Sequence, residues 1–478
     1  MIHNTVLGLI LTALAATSVA SMSDNDQALS LVDGRAEITA HVAKALWQFA
    51  ELGYQEKRSS ALLQETLRKQ GFAVKADVAG MPTAFVATAG SGHPVIAVLA
   101  EYDALPGLSQ DSVPSRSPIP GKGAAHACGH NLFAAGSITA ALAIKQWLGQ
   151  SKTPGTVRVY GTPAEEGGSG KVYLVRDGQF SDVDFVLHWH PGSANTAAAE
   201  SSIAVRSAKF RFHGIAAHAA FAAHLGRSAL DGVEAFDMMV NLMREHVPEQ
   251  TRIHYVITDG GQAPNVVPEF AEVYYYLRHP DVQMVRDLWK RLEAAAQGAA
   301  QGTGTTVNWE IIHGNYPLLI NETLAKMVDA KLRLVGGVNY DRSEREFADK
   351  IRATLQGPQL PADSQERIQP YKVTLGFGST DVGDVSVAVP TVGFETATWV
   401  PGTSGHTWQA AAISGTSIGV KGARVAAKTL TLTAIELFQN SELRAAARAE
   451  FEQRRGNDFK YESLVGDRAP PLEYRKMK

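Results

Sequence analysis

At 478 residues, with 45% hydrophobic and 19% charged side chains, the chain is long enough for two or three domains with buried cores, and a disordered or collagen-like polypeptide is excluded. A formal net charge of -3 and no long basic run leave no electrostatic footprint for nucleic acid or an anionic membrane, so a small-molecule substrate is expected. The single cysteine, Cys128, excludes an intramolecular disulfide and leaves its thiol buried, reactive or bound to metal.

Residues 1–20 hold an apolar stretch from Val6 to Ala16 and then Ser18, Val19 and Ala20, which predicts a secretory signal peptide and an exported, periplasmic or secreted protein. A short N-terminal core helix is the alternative. The stretch is too short for an ordinary membrane span, and no later segment is expected to reach one.

From 21 to 202, apolar positions at helical spacing between Glu37 and Phe72 predict two helices broken at Gly53. "PTAFVATAG" and "HPVIAVLAEYDALPG" read as strands, and a helix over 132–148 follows with Asn131 as its N-cap. "TVRVYGTPAEEGGSG" is a strand entering a glycine loop, "KVYLVRDGQF" a short helix and "DFVLHWHPG" a strand. This alternation predicts an α/β domain, a mostly parallel sheet covered by helices, with ligand chemistry at the carboxyl ends of its strands. From 203 to 316, strands at hairpin-like spacing and two amphipathic helices predict a smaller inserted α+β domain. The sheet domain resumes over 317–440, with "VSVAVPTVGFETAT" as strands and "GVKGARVAAKTLTLTAIELF" as a helix, and 441–478 is a helix with an irregular tail.

Five clusters can carry chemistry. In "GAAHACGHNLF", Cys128 and His130 can reach one centre across a turn at Gly129, and thiolate and neutral imidazole both suit zinc and related ions. Adjacent Glu165 and Glu166 in "GTPAEEGGSG" point in different directions, so one can bind metal while the other moves protons; a solvated acidic turn is the plainer alternative. His188 and His190 in "LHWHPG" share one face of an extended strand. His218 in "GIAAHAAFAAHLGRSALD" and His406 in "PGTSGHTWQ" stand in loops, and each taken alone is compatible with no role. Competing motifs are weaker. "GTSIG" matches a nucleophile elbow centred on Ser417 but lacks a convincing strand before it, and "GGSGKV" lacks both the first glycine and the hydroxyl residue of a phosphate loop.

Taken in order, "AEYDALPGLSQ", "GAAHACGHN", "GTPAEEGG", "WHPG", "GRSALDGVEAF", "GGQAPNVVPEFAEVYYYLR", "GSTDVGDVS" and "SGHTWQ" resemble the metallopeptidase family of aminoacylases, glutamate carboxypeptidase and auxin-conjugate amidohydrolases, above all its aminobenzoyl-glutamate branch. The resemblance implies a zinc-peptidase-like catalytic domain binding two divalent ions, Zn2+ or Mn2+, and an inserted lid that also makes a homodimer. Residue by residue it implies Cys128, His130, Glu166, His190 and His406 as metal ligands and Glu165 as general base. It further implies His218 as the lid histidine that polarises the scissile carbonyl, often across the dimer, and Asn265 and Arg278 as substrate contacts. The implied reaction is hydrolysis, by metal-activated water, of the amide of N-acyl or N-aroyl amino acids such as p-aminobenzoyl-glutamate, with a related second subunit as a further partner. An exported dipeptidase or carboxypeptidase is the nearest alternative; a serine hydrolase using Ser417 and a non-catalytic metal-binding protein are alternatives of another kind. The chain departs from the wider family at Glu101, two residues before Asp103, where many relatives have a ligand histidine, and at Asn131, where many have aspartate. No role follows for His126 or His188.

Overall fold

A computed structural model describes residues 24–357 and 360–475, so the leader expected over 1–20 lies outside the described residues. The central sheet is built from Ala73–Ala76 (β1), Phe85–Ser91 (β2), Val95–Glu101 (β3), Gly155–Thr162 (β4), Phe185–Leu187 (β5) and the short strand Thr391–Val392. Its order is β1-β2-β4-β3-β5 followed by Thr391–Val392. The pairs from β4 onward are parallel, whereas β1 and β2 form an antiparallel edge. Every residue of β3 is buried, as expected of a strand with both faces covered.

Helices Ala36–Phe49 (α1), Lys57–Lys69 (α2) and His130–Ser151 (α3) follow the helical spacing of the sequence closely. By length and composition α3 is apolar enough to cross a membrane, contrary to the expectation that no later segment would be. It is instead wrapped by β3, β4, α1 and the helix Ser417–Gln439, and a helix apolar all round is at home in such a core. The start of α3 also differs from the sequence reading. Gly129, at φ 75°, makes the turn, and Asn131 is no cap: its buried amide donates to the carbonyls of Ala43 (3.0 Å) and Ser414 (2.9 Å), tying α3 to α1 and to a late loop.

A second, antiparallel sheet has its own core. Its strands are Ala204–His213 (β6), Arg252–Asp259 (β7), Phe270–His279 (β8) and Thr306–Asn315 (β9), in the order β7-β8-β6-β9. Along β8, Ala271, Val273, Tyr275 and Leu277 point into a core with Phe236 of Ala229–Met243 (α4) and Trp289 of Val282–Thr303 (α5). The alternate residues Glu272, Tyr274, Tyr276 and Arg278 therefore take the opposite face, and Tyr276 and Arg278 line the main cavity.

The segment "VSVA", expected as strand, is the end of a helix, Val382–Ala388. Here tertiary packing outweighs the β-preference of valine: Val382 and Val385 fill the large core, Val387 enters the lid core, and the Asp384 carboxylate accepts from Tyr316 N at 2.8 Å. After the helix Ser441–Arg455 the chain is irregular but not loose. Residues 456–475 run across both domains, with Tyr461 donating to Asp384 (2.7 Å) and Arg468 to Glu310 (2.8 Å), and Tyr474 packing edge-on against Tyr54.

Candidate metal centre and active site

Each group in the cluster is delivered by the end of a sheet element. β3 ends at Glu101 and leads to Asp103; β4 leads to Glu165 and Glu166; β5 leads to His188 and His190. The left-handed turn at Gly129 places Cys128 and His130 beside them, and a Cβ there would stand 2.7 Å from Pro191, so the approach needs glycine. His406 arrives on a loop whose backbone N–H bonds Ala127 O at 2.8 Å.

The ligand-capable atoms of three sets lie within 4.8 Å of one another: Cys128, His130 and His190; Cys128, Glu166 and His406; and His130, Glu165 and Glu166. Cys128 is common to the first and second sets, His130 to the first and third, and Glu166 to the second and third, an overlap that suits two neighbouring cations. Cys128 Sγ lies 3.6 Å from His190 Nε2, and His406 Nε2 lies 3.2 Å from Glu166 Oε1. Two pairs face each other here at ion-pair distance without a well-formed hydrogen bond, His130 Nε2 with Glu101 Oε2 and His406 Nε2 with Glu166 Oε1, each at 3.2 Å. Thiol, imidazole and carboxylate aimed at a common point fit divalent ions, which would engage these atoms directly.

A layer behind these groups fixes their orientation. One carboxylate, Asp103, serves two of them, accepting His130 Nδ1 at 3.0 Å through Oδ1 and Glu166 N at 3.0 Å through Oδ2. This leaves His130 Nε2 to face the cluster. Lys171 is fully buried between Glu101 Oε1 (2.7 Å) and Asp381 Oδ1 (2.6 Å), so the Glu101 carboxylate already has a cation. Burial, with the nearby carboxylates of Glu101 and Glu166, raises the Glu165 pKa well above the usual carboxylate range. Burial lowers His188 to about 4, and its ring lies against Gly393, where a Cβ would meet it at 2.2 Å. His126 is likewise a neutral core histidine, lowered by burial to about 3 and bonded through Nε2 to Leu46 O.

These groups open on a cavity of about 780 Å3 lined by Cys128, Glu165, Glu166, His190 and His406 on the catalytic side and by His254, Tyr276, Arg278 and His313 on the lid side. Arg278 has its Nε buried without a partner. His218 and Asn265 are not in this cavity. They sit together on an exposed part of the lid, where His218 bridges to Val266 and Asn265 O accepts Ala219 N at 3.0 Å. Ser417 also lies outside it, donating to Glu344 Oε1 at 2.7 Å at the start of a helix preceded by another helix rather than a strand, which removes the serine-nucleophile alternative.

The sequence profile of peptidase family M20/M25/M40 matches residues 97–431. The chain belongs to this family. It is a hydrolase of the amidohydrolase and peptidase type, which also removes the non-catalytic alternative. It is 39% identical to a subunit of the p-aminobenzoyl-glutamate hydrolase of Escherichia coli over 440 residues, 86% of this chain and 91% of that protein. It is 31% identical to the Xaa-Arg dipeptidase of Mus musculus over 89% of this chain and 91% of that one. A Bacillus subtilis structure described as a dinuclear metal-binding peptidase of the same family shares the fold, with a TM-score of 0.55 at 16% identity, over 87% of this chain and 100% of that chain.

Parts of the site had little or no signal in the sequence. Asp103 lies in a motif already singled out, but its double role depends on a contact between strand ends. Lys171 was visible only as a failed phosphate-loop lysine. His254, Tyr276 and His313 follow from strand alternation only once the lid's orientation is known, and the tail residues Tyr474 and Arg475 had no signal at all.

Proposed function

We propose that this chain hydrolyses the amide bond of N-acyl or N-aroyl amino acids, p-aminobenzoyl-glutamate among them, using two divalent ions and acting as a homodimer. The observation that carries the reading is the overlap of three ligand sets through Cys128, His130 and Glu166, beside Glu165 in a cavity that Arg278 also lines.

Cys128, His130 and His190 would hold one ion, and Cys128, Glu166 and His406 the other. When bound, the ions lower the pKa of water from about 16 toward about 7 and polarise the carbonyl. Glu165 takes a proton from the water and hands it to the departing amine. Arg278 pairs its fork of N–H groups with the free carboxylate of the amino acid. His218 and Asn265, exposed on the lid, reach the substrate of a second chain, where His218 donates to the carbonyl oxygen as negative charge develops on it. Ile215, Phe221 and Leu225, more than half exposed beside them, supply the apolar surface for that association.

The test is activity on a panel of N-acyl amino acids, p-aminobenzoyl-glutamate and dipeptides, after chelation and after reconstitution with Zn2+ or Mn2+ separately. Turnover of acyl amino acids that chelation abolishes and one ion restores is expected; turnover indifferent to chelation overturns the reading, and turnover of dipeptides alone assigns the chain to the dipeptidase alternative. Because the E. coli relative is one subunit of its hydrolase, the panel is run with and without a related second chain.

A further inference from the structure

Residues 456–475 are the least regular described part of the chain after α3, yet they end inside the active site. Arg475 lines the same cavity as Glu165 and Arg278. Its Nη2 donates to Glu166 O at 2.8 Å, beside Tyr474 Oη at 3.1 Å from the same carbonyl. Among the described residues, that carbonyl and the adjoining Tyr474 side chain are the hydrogen-bond acceptors of Arg475, while Tyr276 and the Glu166 carboxylate act on the guanidinium by charge alone.

The approach is specifically accommodated. Tyr474 slides over Gly53, where a Cβ would stand 2.4 Å from its hydroxyl, and stacks edge-on to Tyr54 at 5.7 Å. Gln55 Nε2 donates to Leu472 O at 2.8 Å, and the Arg475 guanidinium lies over the Tyr474 ring at 5.3 Å. A flexible, charged side chain is thus fixed in place at a cost in conformational entropy, and so few bonds leave most of its donors unused.

Arg475 and Arg278 come from different elements and line the same cavity. Both act on buried His313, whose pKa burial, then Arg278 and then Arg475 depress to about 3, and Tyr276 lies between them, under the Arg278 guanidinium at 5.3 Å. Two guanidiniums with free donors lining one cavity match two carboxylates on one fragment of the ligand.

We propose that Arg475 is a specificity-determining residue that binds the side-chain carboxylate of an acidic amino acid in the substrate, while Arg278 takes the α-carboxylate; this rests on the amide-hydrolase reading above. The substrate class is then an N-acyl or N-aroyl derivative of a dicarboxylic amino acid. The tail gives the cavity a positive charge that the lid alone does not supply.

The test compares metal-loaded, full-length wild type with Arg475→Gln and Arg475→Lys on p-aminobenzoyl conjugates of L-glutamate and L-glutamine. Wild type is expected to favour the glutamate conjugate, and Arg475→Gln to reduce the glutamate-to-glutamine ratio of kcat/KM about 10- to 100-fold, the usual value of a bond to a charged group. Arg475→Lys restores part of that ratio. A ratio unchanged in Arg475→Gln, or equal losses on both conjugates, makes Arg475 a structural clasp on Glu166 and overturns the proposal. Failure of the hydrolase reading shows separately, as wild type that turns over neither conjugate. Titration calorimetry with free glutamate and glutamine decides the subsite even then: tighter glutamate binding that Arg475→Gln abolishes supports it, and equal affinities overturn it.

Discussion

Cys128, His130, Glu166 and His190 converge within a single chain, held by strand ends, the Gly129 turn and the Asp103 carboxylate, whereas His218 and Asn265 face solvent on the lid among Phe221, Ile215 and Leu225. The first group is oriented before any ligand arrives, because burial and fixed backbone bonds have already removed its freedom. The second lies outside the cavity that holds the first, and in the proposed dimer it acts only when another chain covers it. Metal binding should therefore be a property of one chain, and completion of the oxyanion site a property of two.

The sharpest way to break this contrast is to remove one group from each half. Glu165→Gln keeps the ligand atoms and should lose about 100- to 10,000-fold in kcat with metal content intact, read by elemental analysis beside steady-state kinetics. Cys128→Ala should lose metal together with activity; full occupancy in that variant would end its assignment as the shared ligand. His218→Ala should lower kcat about 100- to 1,000-fold with metal content unchanged. Mixing His218→Ala with Glu165→Gln chains should then recover activity in the hybrid dimer, in which one site has both wild-type groups. No recovery despite demonstrated exchange of chains would place His218 outside the reaction.

A subtler change sharpens the catalytic side. Asp103→Asn removes the charge that orients His130 and should weaken metal binding about 10- to 100-fold, measured by competition with a chelating dye. The smallest effect concerns the lid. His313 is held neutral with a folded pKa of about 3, below the ordinary value of about 6.5, so its stabilising contribution is complete above about pH 6.5 and is lost as pH falls toward 3, because the unfolded chain binds a proton that the folded chain refuses. Melting temperature against pH should fall less steeply below pH 6.5 in His313→Gln than in wild type.

The sequence pattern carried the architecture where periodicity and burial agree. β3, β6, β8, α4 and α5 all lie where alternation or helical spacing put them, and the mainly parallel sheet follows from the order of those elements. It failed where a distant contact decides. Val382–Ala388 is helical because two cores claim its valines, and Asn131 does not cap α3 because Ala43 and Ser414 take its amide. The candidate ligands were legible because thiol, imidazole and paired carboxylate are rare in such company. Arg475 was not, since arginine in a charged, irregular segment is ordinary until the chain's path across Gly53 is known.

The ion pair between Lys171 and Glu101 belongs to a buried chain of charges that runs from Asp381 through Lys171 and Glu101 to His130. Lys171 neutralises the charge that Glu101 brings into a dry interior. Changing either residue alone leaves the other with one partner instead of two, Asp381 for Lys171 and His130 for Glu101, a smaller loss than the about 3–5 kcal/mol of a fully stranded buried ion.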